Sequence, residues 1–133
     1  CISYLTIELK GSIPEEFRTA IGNRIFGCDD CQLVCPWNKF AQRFDEPDFR
    51  ARNRLDEASL VELFAWTEDE FLSRTEGSAI RRTGYESWLR NLAVALGNAP
   101  ADDTITLALR ARADDASAVV REHVAWALQR HAP

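Results

Sequence analysis

Three cysteines stand close together near the start of the sequence, at Cys28, Cys31 and Cys35, and a proline follows the last of them. Their spacing matches the closing part of the bacterial ferredoxin run, Cys-x2-Cys-x2-Cys-x3-Cys-Pro, whose thiolates ligate four-iron clusters. The first cysteine of that run is missing, because Ile25 stands in its place. The remaining cysteine, Cys1, is the expected fourth ligand, since ligation depends on proximity in the fold and not on chain order. The pattern predicts iron–sulfur binding and electron transfer.

The cysteine before the proline has a separate role in two-cluster ferredoxins, where it ligates the other cluster. On this basis Cys1, Cys28 and Cys31 are predicted to hold one cluster, and Cys35 one corner of a second. Each four-iron cluster takes four thiolates, whereas the whole sequence contains 4 cysteines. Half of the ligands are therefore expected to come from outside this chain.

Disulfides and zinc are the alternative explanations for such a group of cysteines. Disulfides are disfavoured because all 4 cysteines lie within the first 35 residues, whereas disulfide-dependent domains are cross-linked throughout. The Cys-x2-Cys spacing is also half of a zinc knuckle, but zinc sites pair two short knuckles, and this chain has a triplet and a single cysteine. A zinc site with thiolate ligands stays open as an alternative.

Composition indicates a globular protein that is part of a longer one. The 133 residues include no methionine, so we expect a C-terminal fragment. A hydrophobic content of 46% is sufficient for a packed core. No apolar stretch approaches the roughly 18 residues that span a bilayer, and no signal peptide is recognisable. We expect a cytoplasmic monomer with no membrane association.

Periodicity and capping signals predict helices almost throughout. Residues 2–9 fit both helical and strand periods, with helix favoured, and Ser12 is expected to cap a short helix that ends at Gly22. From residue 54 onward the pattern is helical, beginning with two capping boxes. The capping boxes at Ser59 and Thr67 predict helices over residues 60–66 and 68–74, and a third helix is predicted over residues 87–96, ending at Gly97. A fourth helix is expected to start after Asp102 or Asp103 and end at residue 113. The last is expected to start after Asp115 or Ser117 and end at about residue 130.

The last third of the chain contains a weak internal repeat. Residues 89–96 contain a Leu-Arg pair followed by Ala-Val-Ala-Leu. Residues 120–128 contain a similar pattern, Val-Arg followed by Ala-Trp-Ala-Leu. Stacked helix pairs with small contact residues are typical of HEAT-like repeats, although an ordinary helical bundle is an alternative. The predicted fold is mainly α, with the remnant of a ferredoxin-like two-cluster [4Fe-4S] domain (residues 1–50) followed by a HEAT-like helical-repeat domain (residues 51–133).

Five short stretches together resemble one known family, the epoxyqueuosine reductases, over essentially the whole chain. They read CISYLTIE at residues 1–8, GCDDCQ at 27–32, CPWN at 35–38, GSAI at 77–80 and WLRN at 88–91. The resemblance implies an oxidoreductase that uses cobalamin and two [4Fe-4S] clusters to convert epoxyqueuosine to queuosine at the tRNA wobble base, with electrons from an external donor. The family's cobalamin domain, catalytic acid and upstream cysteine run are missing here, so no catalytic residue is assigned and the isolated chain is expected to be inactive.

The resemblance also implies roles for individual residues. The four cysteines would ligate the clusters as described, with an upstream cysteine completing the first set. Asp29 and Asp30 lie between two ligands, where negative charge lowers a cluster's reduction potential, or where they could accept hydrogen bonds from the amide arms of cobalamin. Ser3 could do the same. The alternative for the two aspartates is a solvated turn, and the alternative for Ser3 is a hydroxyl that bonds locally within a helix or turn.

Contact with tRNA is predicted at a limited set of basic and aromatic residues, because a formal net charge of -5 argues against a broad phosphate-binding surface. A core position for Trp88 and a structural role for Arg90 are the alternatives there. The predicted tRNA contacts are Lys10, Arg81, Arg82, Tyr85 and Arg90.

Two other functions compete with the tRNA-modifying reductase. A cobalamin-dependent reductive dehalogenase or simple two-cluster electron carrier would explain the cysteines, but it has no need of the helical tail. A zinc-knuckle helical-repeat binding module would explain the tail without redox chemistry. His123 and His131 are not assigned as ligands under any of these hypotheses, because neither has a companion at metal-binding spacing.

Overall fold

A computed structural model describes residues 1–43, 45–47 and 50–132, and within them the chain is helical with no strand. Short helical turns accompany the α-helices: a π-helical turn at Tyr4–Glu8 and 3₁₀ turns at Pro36–Phe40 and Ala79–Thr83. The α-helices are α1 (Glu15–Ile21), α2 (Asp30–Leu33), α3 (Leu60–Phe64), α4 (Glu68–Arg74), α5 (Tyr85–Asn98), α6 (Asp103–Ala111) and α7 (Ala118–Arg130). None of the described helices is long and apolar enough to cross a membrane.

Side-chain caps define most helix starts, as the sequence predicts. Both capping boxes form, at Ser59 before α3 and at Thr67 before α4, and Asp102 and Ser117 accept backbone N–H bonds at the starts of α6 and α7. The prediction for Ser12 is wrong. Helix α1 begins after Pro14 without a side-chain cap, and the Ser12 hydroxyl instead donates to the Glu122 carboxylate on α7.

Helix α5 is the centre of the fold. Every residue from 87 to 97 is buried, and α7 packs across its C-terminal half at Gly97. A Cβ added to Gly97 would lie 2.6 Å from the Trp126 ring and 2.9 Å from the Cα of Ala127. The predicted helix end at Gly97 is therefore wrong, because the glycine allows two helices to approach closely and α5 continues through it to Asn98.

One hydrophobic core joins residues from both predicted domains. Leu5, Ile13 and Ile21 belong to the same buried cluster as the α3–α7 side chains. At its centre Trp88 stacks on Trp66, with ring centroids 5.8 Å apart, which confirms the core position of Trp88. The boundary at residue 50 stays a prediction, but residues 1–25 pack on the helical domain.

The segment between these packed parts is different. No described residue between Ile21 and Leu63 is buried, and its only α-helix in the described part, α2, has 4 residues. This segment carries Cys28, Cys31 and Cys35. It is anchored at its start, where residues 25–27 meet the packed helices, and near its end, where Arg52 and Asn53 donate to the carbonyls of Gly77 and Arg74.

Candidate functional site

All four cysteines are free thiols that solvent can reach. Cys1 and Cys31 are exposed, and Cys28 and Cys35 are half-buried. No disulfide links them, so the disulfide alternative is excluded for this structure. Their exposure leaves them accessible to a bound cofactor or to another part of a larger protein.

Between Cys28 and Cys31, the backbone forms a left-handed turn that is followed by a short helix. Gly27 and Asp29 have φ values of 74° and 56°, and an aspartate tolerates this left-handed conformation better than most residues. The N–H groups of Gln32 and Leu33 both donate to the Asp29 carbonyl at 2.9 Å. This compact turn separates Cys28 from Cys31.

The donor set of four accessible thiols fits iron–sulfur clusters. A zinc site draws its ligands to about 2.3 Å from one point, whereas the thiolates of a four-iron cluster each bind a different iron and surround it. Among the described residues, no three Cys, His, Asp or Glu side chains converge as a group that could hold one metal ion. The free, accessible thiols at ferredoxin spacing are the ligand type that the clusters require.

The two aspartates between the cysteines have different partners. Arg24 donates to both carboxylate oxygens of Asp30, at 2.9 and 3.1 Å, and this bond, with a smaller contribution from the Cys28 thiol, lowers the pKa of Asp30. Asp29 accepts a hydrogen bond from the Gln32 amide at 3.2 Å. Ser3 lies half-buried in the helical turn after Cys1. Contact of Ser3, Asp29 and Asp30 with cobalamin stays a prediction.

Arg90 does not face solvent, and the predicted tRNA contact at this residue is wrong. Its side chain is fully buried, and the guanidinium donates to the carbonyls of Leu5 at 2.8 Å, Leu9 at 2.8 Å and Gly11 at 2.7 Å. Burial lowers the pKa of Arg90 to about 10, which keeps it charged at neutral pH. Arg90 therefore binds the N-terminal segment, as its structural alternative predicts.

Tyr85 also has its contacts inside the domain. Its hydroxyl donates to the Trp66 carbonyl at 2.6 Å and accepts from Arg112 at 3.1 Å. Its ring packs 5.9 Å from the ring of Phe71. These contacts join α5 to the loop between α3 and α4, and they use both the ring and the hydroxyl of a residue that is predicted to contact tRNA.

The remaining basic residues of the prediction come together on the surface. Lys10, Arg81 and Arg82 are all exposed, and we call them the basic corner. Lys10 Nζ donates to the Thr83 carbonyl at 3.0 Å, and Arg82 pairs with Glu8 at 2.6 Å. The corner thus lies where the Ala79–Thr83 turn packs against the segment that follows Cys1.

Sequence reasoning missed the residue that joins the two cysteine-bearing segments. The Asn91 amide donates to the Thr6 carbonyl at 2.7 Å and to the Ile25 carbonyl at 2.9 Å. The family resemblance includes Asn91 only as the last residue of the WLRN stretch. A polar pair, Arg90 and Asn91, within the apolar run of residues 88–97 was the available signal.

The part of the chain that carries the cysteines is similar to a known family of iron–sulfur domains. Residues 1–38 match a family model described as a 4Fe-4S double cluster binding domain. Over 98% of its length, the chain is 70% identical to the epoxyqueuosine reductase of Xanthomonas campestris pv. campestris, of which it covers 37%. It is 60% identical to the epoxyqueuosine reductase of Escherichia coli K12 over 96% of the chain and 34% of that relative.

Solved structures agree with the sequence comparison. A crystal structure of epoxyqueuosine reductase with an epoxyqueuosine-modified tRNA-Tyr stem loop superposes with a TM-score of 0.89 at 34% identity, covering 100% of this chain and 35% of that one. The Bacillus subtilis enzyme superposes with a TM-score of 0.84 at 32% identity, covering 100% and 36%. The chain thus spans about a third of the length of these relatives. By sequence and by fold, it is similar to about a third of an epoxyqueuosine reductase.

Proposed function

We propose that this chain is the part of an epoxyqueuosine reductase that supplies cluster ligands and a tRNA-facing surface for the conversion of epoxyqueuosine to queuosine in tRNA. The observation that carries the proposal is the set of four free thiols within a segment that matches the double-cluster model. The reductases that it resembles are about three times as long. The missing thiolates and the main cobalamin-binding domain would lie in that additional length.

The cysteines divide between two clusters in this proposal. Cys1, Cys28 and Cys31 hold one [4Fe-4S] cluster with an outside thiolate, and Cys35 completes the other. When bound, the clusters supply single electrons from an external donor to cobalamin. The carboxylates of Asp29 and Asp30 place negative charge beside the first cluster, and Arg24 partly offsets it through its ion pair with Asp30.

The basic corner is the proposed tRNA contact. Lys10 and Arg82 are already brought together with Arg81 near the segment that carries Cys1, and the long side chains can reach phosphate oxygens. A related solved structure contains a tRNA stem loop, which supports a nucleic-acid surface on this fold. The small number of cations is consistent with a net charge of -5 and predicts a shallow salt dependence.

Metal analysis of the complete reductase tests the cluster assignment. We expect anaerobically purified protein to be brown, and Cys28→Ser and Cys35→Ser variants each to lose about half of the iron and sulfide, because each removes a ligand of a different cluster. Electron paramagnetic resonance of the reduced proteins should show a different signal missing in each variant. Colourless protein that contains zinc would support the zinc-knuckle alternative instead.

Binding of a tRNA stem loop tests the basic corner. The double change Arg81→Ala and Arg82→Ala should weaken binding and reduce the slope of log affinity against log salt by about one for each phosphate that is no longer neutralised. Arg110→Ala is the matched control, because Arg110 is exposed on α6 outside the basic corner. If both variants bind like the parent protein, the corner is not a tRNA contact.

A further inference from the structure

Two short segments lead to the cysteines that the proposed function assigns to one cluster. The first follows Cys1, whose carbonyl accepts the Leu5 N–H at 3.1 Å at the start of the Tyr4–Glu8 turn. The second, residues 25–27, leads directly to Cys28. These segments are separated by more than a dozen residues of sequence, so a tertiary contact has to set their separation.

Asn91 makes that contact from the middle of α5. Its amide nitrogen donates to one carbonyl in each segment, Thr6 at 2.7 Å and Ile25 at 2.9 Å. Its amide oxygen accepts from the Arg90 guanidinium at 2.9 and 3.1 Å. All polar atoms of the side chain are therefore used, and the amide is held in one orientation.

Thr6 joins the same two segments directly. Its hydroxyl donates to the Ile2 carbonyl at 2.8 Å and accepts the Gly27 N–H at 2.9 Å. Ile2 and Gly27 are the residues adjacent to Cys1 and Cys28. Thr6, Arg90 and Asn91 are fully buried, and a satisfied buried polar network of this kind fixes one geometry where apolar packing would allow several.

A second asparagine on α5 shows what is specific to Asn91. The Asn98 amide likewise donates to two backbone carbonyls, those of Arg18 at 2.8 Å and Gly22 at 3.0 Å. These lie in and just after α1, away from the cysteines in sequence. Both residues bind the N-terminal segment to α5, but only Asn91 touches the two segments that lead to Cys1 and Cys28.

We propose that Asn91, together with Thr6, is a positioning residue that sets the separation of the Cys1 and Cys28 thiols and thereby prepares this half of the ligand set for its [4Fe-4S] cluster. The inference rests on the proposed function for the identity of the cofactor. The separation of the two thiols is a property of this chain alone, and it can be measured without any cluster.

The first test measures that separation in the metal-free chain. Nitroxide labels on Cys1 and Cys28, with Cys31→Ser and Cys35→Ser, should give a narrow distance distribution by dipolar spectroscopy. Asn91→Ala should broaden it, whereas Asn98→Ala should not, even if both lower the melting temperature similarly. A broad distribution in the parent chain, or equal broadening by both changes, would overturn the proposal.

The second test measures cluster retention in the complete reductase. Loss of iron to a chelator should be roughly 10-fold faster in Asn91→Ala than in Asn98→Ala, which is the usual size of effect for a residue that supports metal ligands. The spectrum of the reduced cluster should shift only in the first variant. Retention and spectra that match between the two variants count against a positioning role.

Thr6 provides the test if Asn91→Ala does not fold. Thr6→Val keeps the shape and removes the hydroxyl, and it should give the same broadening and faster iron loss, whereas Thr6→Ser should restore parent behaviour. No rescue by serine would show that the hydroxyl bond to Gly27 does not position Cys28. If Cys1→Ser and Cys28→Ser leave the clusters intact, the ligand assignment fails instead, and the spin-label result is unaffected.

Discussion

The cysteine segment (residues 26–58) and the packed helices differ in how they hold their shape. The helices surround α5, whose residues 87 to 97 are all buried. In the cysteine segment no described residue is buried, and four large apolar side chains face solvent. Their exposed fractions are 73% for Leu33, 78% for Val34, 73% for Trp37 and 62% for Phe40.

This difference indicates where the order of the cysteine segment comes from. A four-residue helix such as α2 is too short to be stable by itself, and exposed side chains contribute little burial energy. The segment is held at its start by the bonds of Ile25 and Gly27 to Asn91 and Thr6. Near its end, Arg52 and Asn53 donate to the carbonyls of Gly77 and Arg74. Between these two anchors, the clusters and the additional protein of the proposed function would supply the remaining order.

Removing one aromatic ring from each region should expose the contrast most strongly. Phe71 is fully buried, so Phe71→Ala should lower the free energy of unfolding by about 3–5 kcal/mol. Trp37→Ala should change it by less than about 0.5 kcal/mol, because an exposed ring loses little on truncation. Urea denaturation followed by circular dichroism measures both values. Comparable losses would mean that the cysteine segment has a core of its own.

Crowding the contact between α5 and α7 should have the next largest effect. Gly97→Ala places a methyl group against the Trp126 ring and the α7 backbone, and we expect a loss of about 2–3 kcal/mol despite the better helix propensity of alanine. The same denaturation experiment in a Trp126→Leu background should recover part of the loss. Stabilisation by Gly97→Ala would show that the helices can separate at no cost.

Acid should weaken the packed region through His123. Its Nε2 accepts the Ile13 N–H at 3.1 Å and its Nδ1 bonds to the Val119 carbonyl at 2.7 Å. Burial, the largest cause, lowers the pKa of His123 to about 4 from its usual 6.5. The unfolded chain therefore binds more protons between these values, and stability falls as pH drops from 6.5 towards 4, by about 2 kcal/mol at pH 5.

The check is a series of denaturation curves between pH 7 and pH 5. His123→Gln should flatten the pH dependence in this range, whereas His131→Gln, the other histidine of the chain, should preserve it. If the free energy of unfolding of His123→Gln depends on pH as strongly as that of the parent, other groups cause the loss of stability in acid.

Features that depend on neighbouring residues could be predicted from the sequence. The capping boxes at Ser59 and Thr67 form as expected, because the cap and its partner lie three residues apart. The cysteine spacing likewise indicates its chemistry through local geometry, and the matching double-cluster model supports that interpretation. Helix α4 begins and ends at its predicted residues.

Features that depend on distant residues could not. An arginine beside aromatic rings resembles a nucleic-acid contact until the carbonyls of Leu5, Leu9 and Gly11 are found around Arg90. A glycine near a helix end looks like a stop signal, and only α7 shows that Gly97 is a contact point. The His131 ring bonds to the Leu96 carbonyl at 2.8 Å, a contact between distant residues that the sequence does not indicate.

The bond between Arg90 and the Leu5 carbonyl joins residues 85 positions apart. A ribosome adding about 5–20 residues per second leaves that carbonyl without its guanidinium for roughly 4 to 17 seconds. During this interval Cys1 has been synthesised, but its neighbours have no fixed place. If Cys1 and Cys28 ligate one cluster as proposed, an iron donor that acts before α5 is synthesised would meet two thiols whose separation Asn91 does not yet set.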